Sequence, residues 1–168
     1  MEQFDIAICG YGPVGSTFAG LMGRLGHKVL VIEKSIGPSP TARAINTDGE
    51  QLRTFDRLGI AEKVVENSSE VHRVHFGDAN LNPIQTIEQP VGVSVMGWPN
   101  QVLFYQPELE GFIRTSVESE SNIVIEEGTE LLSFDDTPEG VTLNCKNSDG
   151  ELSFFSKYLI GCDGASSF

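Results

Sequence analysis

Positive charge is scarce in this sequence: 11 lysines and arginines stand against 24 aspartates and glutamates, a net charge of −13. Nucleic acid and anionic membranes bind through clustered basic groups, so neither is expected as a partner. An anionic ligand would have to be held by backbone N–H groups and helix termini rather than by a basic patch. Cysteine is nearly absent too. Cys9, Cys145 and Cys162 are too few and too scattered for a disulfide framework or a metal site, and they fit reduced thiols acting as small core residues. Histidine is limited to His27, His72 and His75, and the last two, three apart in a β-prone stretch, point to opposite faces and make poor joint metal ligands. No apolar run is long enough to span a membrane, and the opening Met1-Glu2-Gln3 carries no export pattern, so the expected location is the cytoplasm. Repeats, low-complexity tracts and an obvious linker are also missing.

What is present begins with "FDIAICGYGPVGSTFAGLMGRLGHKVLVIEK". Phe4 to Cys9 reads as a buried parallel strand, and Gly10, Gly12 and Gly15 follow as G-x-G-x-x-G. Val14, Phe18, Leu21, Met22 and Leu25 then fall at helical spacing, while Gly15, Ala19 and Gly23 form a small face for close packing on a sheet. Lys28 to Ile32 is a second apolar strand with Glu33 at its end. The pieces have separate duties. Gly10 permits a tight turn, Gly12 admits a pyrophosphate to the backbone, and Gly15 lets helix and strand touch. The helix N-terminus offers free N–H groups to phosphates, and Glu33 would accept from ribose hydroxyls. This unit does not separate NAD from FAD, since both present an ADP half.

Downstream, "TDGEQLRTFDRLG" suggests a helix opened by a Thr47–Glu50 capping box and stopped at Gly59, with "IAEKVVENS" as a second short helix. From Val71 to Leu103 the pattern changes to short β-like pieces separated by Gly and Pro. "QPELEGFIRTSVES" returns to helix, with Leu109, Phe112, Ile113 and Val117 on one face. Three alternating runs split by "TPEG" and "NSDG" make a β-meander, and "YLIGCDG" reads as a further buried strand. Ser166-Ser167 lack the strand-turn-helix elbow that a serine nucleophile needs, and no residue stands out as an acid-base catalyst.

"GYGPVG", Glu33, "TARA" around Arg43, "FYQPELEGFIR" and "GCDGASS" occur in an order that resembles the class A flavoprotein aromatic monooxygenases. Within that family, "GEQLRTFDRLGIAEKV" and "GWPNQVLFYQP" are most similar to the 3-(3-hydroxyphenyl)propionate hydroxylase segments. The resemblance implies an α/β, Rossmann-like FAD/NAD(P)-binding fold, a parallel sheet with helices and a β-meander, incomplete at the C-terminus. It implies FAD as cofactor, NAD(P)H as co-substrate, and O₂-dependent hydroxylation of a small phenolic substrate in aromatic compound catabolism. By motif match, Gly10, Gly12, Pro13, Val14 and Gly15 would hold the pyrophosphate, with Glu33 and neighbouring Lys34 on the adenosine side. Arg43 would reach the phosphates or ribityl chain, unless it is a plain surface arginine. Gln106 would bond the ribityl chain, unless it merely caps its helix. Asp163 and Gly164 match the family's Asp-Gly motif, and Leu131 would line the adenine pocket.

That motif runs D-G-x-x-S-x-x-R, and the sequence reaches Phe168 before the arginine. The chain is therefore expected to be an N-terminal piece of a longer enzyme, inactive alone. Residues 1–70 and 103–168 would belong to the FAD-binding domain and residues 71–102 to the first strands of a substrate domain. Exposed edges in that segment would leave it open to forming a homo-oligomer. "GDAN" at Gly77–Asn80 is a decoy for the family's later Gly-Asp motif, which lies beyond the Asp-Gly stretch. A nicotinamide-dependent dehydrogenase half and a non-catalytic Rossmann-like module are the competing readings.

Overall fold

The computed structural model describes residues 2–38 and 42–166. In chain order its elements begin with β1 (Gln3–Cys9), α1 (Pro13–Arg24), β2 (Val29–Glu33), β3 (Asn46–Asp48), α2 (Gly49–Arg57) and α3 (Ala61–Glu66). Then come β4 (Ser69–Glu70), β5 (Arg73–Gly77), β6 (Pro83–Glu88), β7 (Gln101–Leu103) and α4 (Gln106–Glu118). β8 (Ile123–Glu127), β9 (Glu130–Thr137), β10 (Gly140–Asn147) and β11 (Gly150–Gly161) follow, with a 3-10 turn at Gly164–Ser166. The chain divides into two compact units, Met1–Pro40 with Ile113–Phe168, and Thr41–Phe112.

The first unit is built on a six-stranded sheet of order β8-β2-β1-β11-β10-β9. β1 lies between β2 and β11, parallel to both, with Ile6 opposite Val29 and Tyr158, and β8 extends the parallel set beyond β2. Such strands are covered on both faces, which is why Val29 to Ile32 is an unbroken apolar run, at most 1% exposed. The meander β9-β10-β11 pairs antiparallel and curls over the inner face. Leu131, Leu143 and Cys145 from it pack with Phe4, Ala7, Leu30 and Ile32 in one core. The expected separate strand at "YLIGCDG" is instead the end of β11. One continuous strand serves the meander first and the parallel sheet afterwards, and it stops at Gly161, before Cys162.

Helix α1 buries its small residues. Gly15, Ser16, Ala19, Gly20 and Gly23 face inward, whereas Val14 and Leu25 are 70% and 69% exposed. A side chain at Gly23 would run into Ile123, so the small stripe sets how closely helix and sheet approach. The C-terminal part of α4 lies beside α1: Arg24 donates to Ser116 Oγ at 3.3 Å and pairs with Glu120 at 3.2 Å.

In the second unit, α2 and α3 bury Leu52, Phe55, Leu58, Ala61 and Val64 beside a small antiparallel sheet, β3-β7-β4. The expected capping box is replaced by a different cap. Thr47 belongs to β3, and the Asp48 carboxylate accepts from the Gln51 N–H at 2.9 Å. Shifting the start by one residue puts the better acceptor at the cap and leaves Thr47 to pair with Val102. Gly59, at φ +68°, ends the helix as expected. β5 and β6 form a hairpin whose "GDAN" tip is a self-contained turn. Asp78 accepts from the N–H groups of Asn80 and Asn82 and from the Asn82 side chain, and these bonds hold its carboxyl below the usual range, the Asn82 side chain contributing most.

Candidate functional site

The three glycines of the first loop are required for different reasons. Gly10 sits at φ +105°, where a side chain would also collide with the Cys162 carbonyl. Its N–H donates to Ile32 O at 2.8 Å, and Cys162 N–H donates to Cys9 O at 2.7 Å, which places the Asp163-Gly164 turn against the loop. A Cβ on Gly15 would strike the Gly10 carbonyl oxygen, so α1 can start this close to β1 only with glycine there. Gly12 differs. Its backbone is extended and a Cβ would meet nothing within 4 Å. The protein's own packing does not need a glycine at this position, but a ligand approaching the backbone does. Gly12 also caps α1 without a side-chain acceptor, leaving the first-turn N–H groups beyond Pro13 to an anion. These features fit a dinucleotide pyrophosphate.

Glu33, at the end of β2, accepts from Tyr11 N–H and Ser35 N–H, both at 2.8 Å. Each carboxylate oxygen keeps a lone pair for a hydroxyl. Gly10, Glu33, Lys34, Leu131 and Asp163, all expected from sequence to touch the ligand, line one cavity of about 170 Å³ together with Thr129. A larger hollow of about 790 Å³ adjoins it through Cys9, Leu131 and Asp163, and extends along the meander past Phe134 and Tyr158. Burial pushes the Cys9 thiol up to about 11, with the charges of Asp163 and Glu33 acting in the same direction, and raises Cys162 for the same reasons of burial and Asp163. The three thiols are free; Cys145 is a buried core residue, whereas Cys9 and Cys162 are only half-buried. Gly164 turns at φ +84°.

Arg43 and Gln106 lie together in the second unit. Gln106 is buried; its Oε1 accepts from the N–H groups of Arg43 and Ala44 at 2.5 and 2.7 Å, and its Nε2 donates to Glu110 at 2.7 Å. Among the described residues the second Nε2 hydrogen has no partner. The side chain thus does more than cap α4, since it fixes the backbone that carries Arg43.

The sequence reading missed Arg114. From α4 its Nη1 pairs with Glu127 Oε1 at 2.6 Å, its Nη2 donates to Tyr11 O at 3.3 Å, and its guanidinium stacks 4.2 Å from the Tyr11 ring centroid. The available signal was a cation adjoining the apolar face of α4, beside Ile113 and Val117, in a chain short of cations. Among the described residues there is no cluster of three or more metal-binding side chains and no helix long and apolar enough to cross a membrane.

A parallel sheet whose first strand feeds a glycine loop and helix, with an acid closing the second strand, defines a dinucleotide-binding protein. The family follows from comparison: residues 3–168 match the FAD binding domain, and the chain belongs to that family, with FAD as its cofactor. The chain is 32% identical over 168 residues to a 3-(3-hydroxy-phenyl)propionate/3-hydroxycinnamic acid hydroxylase of Escherichia coli, covering 99% of this chain and 30% of that protein. A protein of the same name from Mycolicibacterium smegmatis is 28% identical over 163 residues, covering 97% and 29%. The chain therefore spans about 30% of the length of these curated relatives. Among solved structures, p-nitrophenol 4-monooxygenase from Pseudomonas putida superposes with a TM-score of 0.90 at 23% identity, over 98% of this chain and 42% of that one. Aklavinone-11 hydroxylase, in complex with FAD and aklavinone, gives a TM-score of 0.81 at 25% identity over 98% and 34%.

Proposed function

We propose that this chain is the N-terminal, adenosine-binding part of an FAD-dependent aromatic hydroxylase acting on a small phenol of the 3-(3-hydroxyphenyl)propionate type. The observation that carries the reading is the open space over Gly12, the residue after the Tyr11 whose N–H Glu33 accepts, within a chain whose relatives bear hydroxylase names. The Gly12–Gly15 backbone and the start of α1, through Pro13 and Val14, hold the pyrophosphate, and Glu33 accepts from the adenosine ribose. Leu131 and Lys34 border the adenine side, and Asp163 and Gly164 close the loop from β11. Arg43 and Gln106 serve the phosphates and ribityl chain. Bound FAD would supply the redox and oxygen-transfer chemistry, with NAD(P)H as co-substrate, and the protein's part is to bind, orient and exclude water. No side chain here is assigned as an acid-base catalyst. Residues 71–102 are assigned to a substrate domain, residues 1–70 and 103–168 to the FAD domain, and the enzyme to aromatic catabolism in the cytoplasm.

Flavin content tests this reading. A micromolar cofactor needs about 8 kcal/mol. The relatives' remaining length is not in this sequence, and contacts made there, at about 1 kcal/mol or more each, are lost to it. The chain should purify largely free of absorbance near ~450 nm, bind added ADP or FAD weakly, and oxidise no NAD(P)H with phenols. Glu33→Ala should weaken the ADP binding. A stoichiometric yellow protein from this chain would overturn the division of labour, and ADP binding indifferent to Glu33→Ala would overturn the site.

A further inference from the structure

We infer that Arg114 is a positioning residue of the nucleotide site: with Glu127 it clasps the two loops flanking the cavity and so sets the Glu33 carboxylate. The inference rests on the ribose role given to Glu33. The first loop is held through Tyr11, whose carbonyl accepts from Arg114 Nη2 and whose ring lies under the guanidinium. The Tyr11 N–H, on the same residue, donates to Glu33 Oε2. The second loop, after β2, is held through Glu127, whose Oε1 takes both Arg114 Nη1 and the Gly37 N–H at 3.0 Å. Ser35, in that loop, donates to the other oxygen of Glu33. Both bonds that orient Glu33 thus begin on segments that the Arg114–Glu127 pair ties down.

Stability alone is a poor reason for this arrangement. The Arg114 side chain is only 12% exposed, and buried ion pairs are commonly no better than apolar replacements. Arg114 Nε and Tyr11 Oη are buried with no hydrogen-bond partner among the described residues, a cost that leucine and phenylalanine at these positions would avoid. What an apolar pair lacks is direction. A planar fork can grip a carboxylate and a carbonyl while stacking on a ring, and lysine cannot reproduce that.

The test combines amide hydrogen exchange with titration of ADP and 2′-deoxy-ADP, on the chain as it stands and on variants. In Arg114→Met and Arg114→Lys, the Tyr11 and Gly37 amides should exchange about tenfold faster, while amides of β10 keep their protection. The preference for ADP over 2′-deoxy-ADP should fall toward that of Glu33→Ala, in Arg114→Lys as well, although its charge is kept. Should Arg114→Met fail to fold, Glu127→Gln, which keeps the shape and removes the charge, carries the same measurement. Unchanged loop exchange and unchanged preference in these variants, with the preference lost in Glu33→Ala, would overturn the inference alone. A preference that Glu33→Ala does not alter would overturn the ribose reading, and the inference with it.

Discussion

At the scale of single residues, identical glycines in one motif answer to different constraints, and substitution separates them. Gly15→Ala forces a methyl into the Gly10 carbonyl and should destabilise the fold by about 1–3 kcal/mol, read from denaturant midpoints. Gly12→Ala adds a methyl to open space, so stability should change by no more than about 0.5 kcal/mol while ADP and FAD binding weaken about tenfold. Equal destabilisation by the two would remove the argument for a ligand at Gly12. The thiols give a pH prediction. Burial raises Cys9 and Cys145 from an ordinary 9.0 to about 11, so in the folded chain they stay protonated after the unfolded chain has ionised. Their contribution is complete below 9.0 and is lost as pH climbs through about 11, so stability should decline over that window. The decline should shrink in a Cys9→Ala, Cys145→Ala double variant. The glycine triplet and the three cysteines were legible in the sequence. The separate duties of the three glycines were legible as well, and the structure adds what lies across from each Cβ: a backbone carbonyl at Gly10 and Gly15 and open space at Gly12.

At the scale of elements, boundaries moved where local preferences competed. Thr47 and Asp48 are both good caps, and strand pairing of Thr47 with Val102 left the cap to Asp48. Asp48→Ala should therefore cost about 1 kcal/mol and Thr47→Ala less, measured by thermal or urea denaturation. β11 read as two strands because its first half alternates, being half-buried over the meander, while its second half is apolar, being next to β1. The apolar end is not the buried strand its composition suggests: Tyr158 is 66% exposed and Leu159 and Ile160 are only half-buried. Leu143, fully buried at the centre of the meander, joins the layers, and Leu143→Ala should cost about 2–5 kcal/mol.

At the scale of the whole molecule, charge and exposed edges oppose each other. β5 and β6 pair only with each other among the described residues, and Phe76, Ile84 and Ile87 are 52%, 75% and 40% exposed. Such an edge invites pairing with a second copy, while a net charge of −13 resists it. Association should accordingly strengthen as salt rises from about 0.05 to about 0.5 M, where screening shortens the reach of the repulsion. Sedimentation velocity would show it, and a monomer at all salt and protein concentrations would count against the edge as an association site.

The sequence by itself determined the strand-loop-helix-strand unit, its acid, the meander and the family, because these rest on local spacing and on residue types with few substitutes. Only the tertiary structure decided which residues close the site. Leu131 and Asp163 reach the Glu33 cavity because β9 curls back over β2 and because β11 runs beside β1. Arg114 meets Tyr11 because the C-terminal part of α4 packs beside the loop that leads into α1. Those meetings join positions about a hundred residues apart, and a one-dimensional pattern does not encode which distant faces come together.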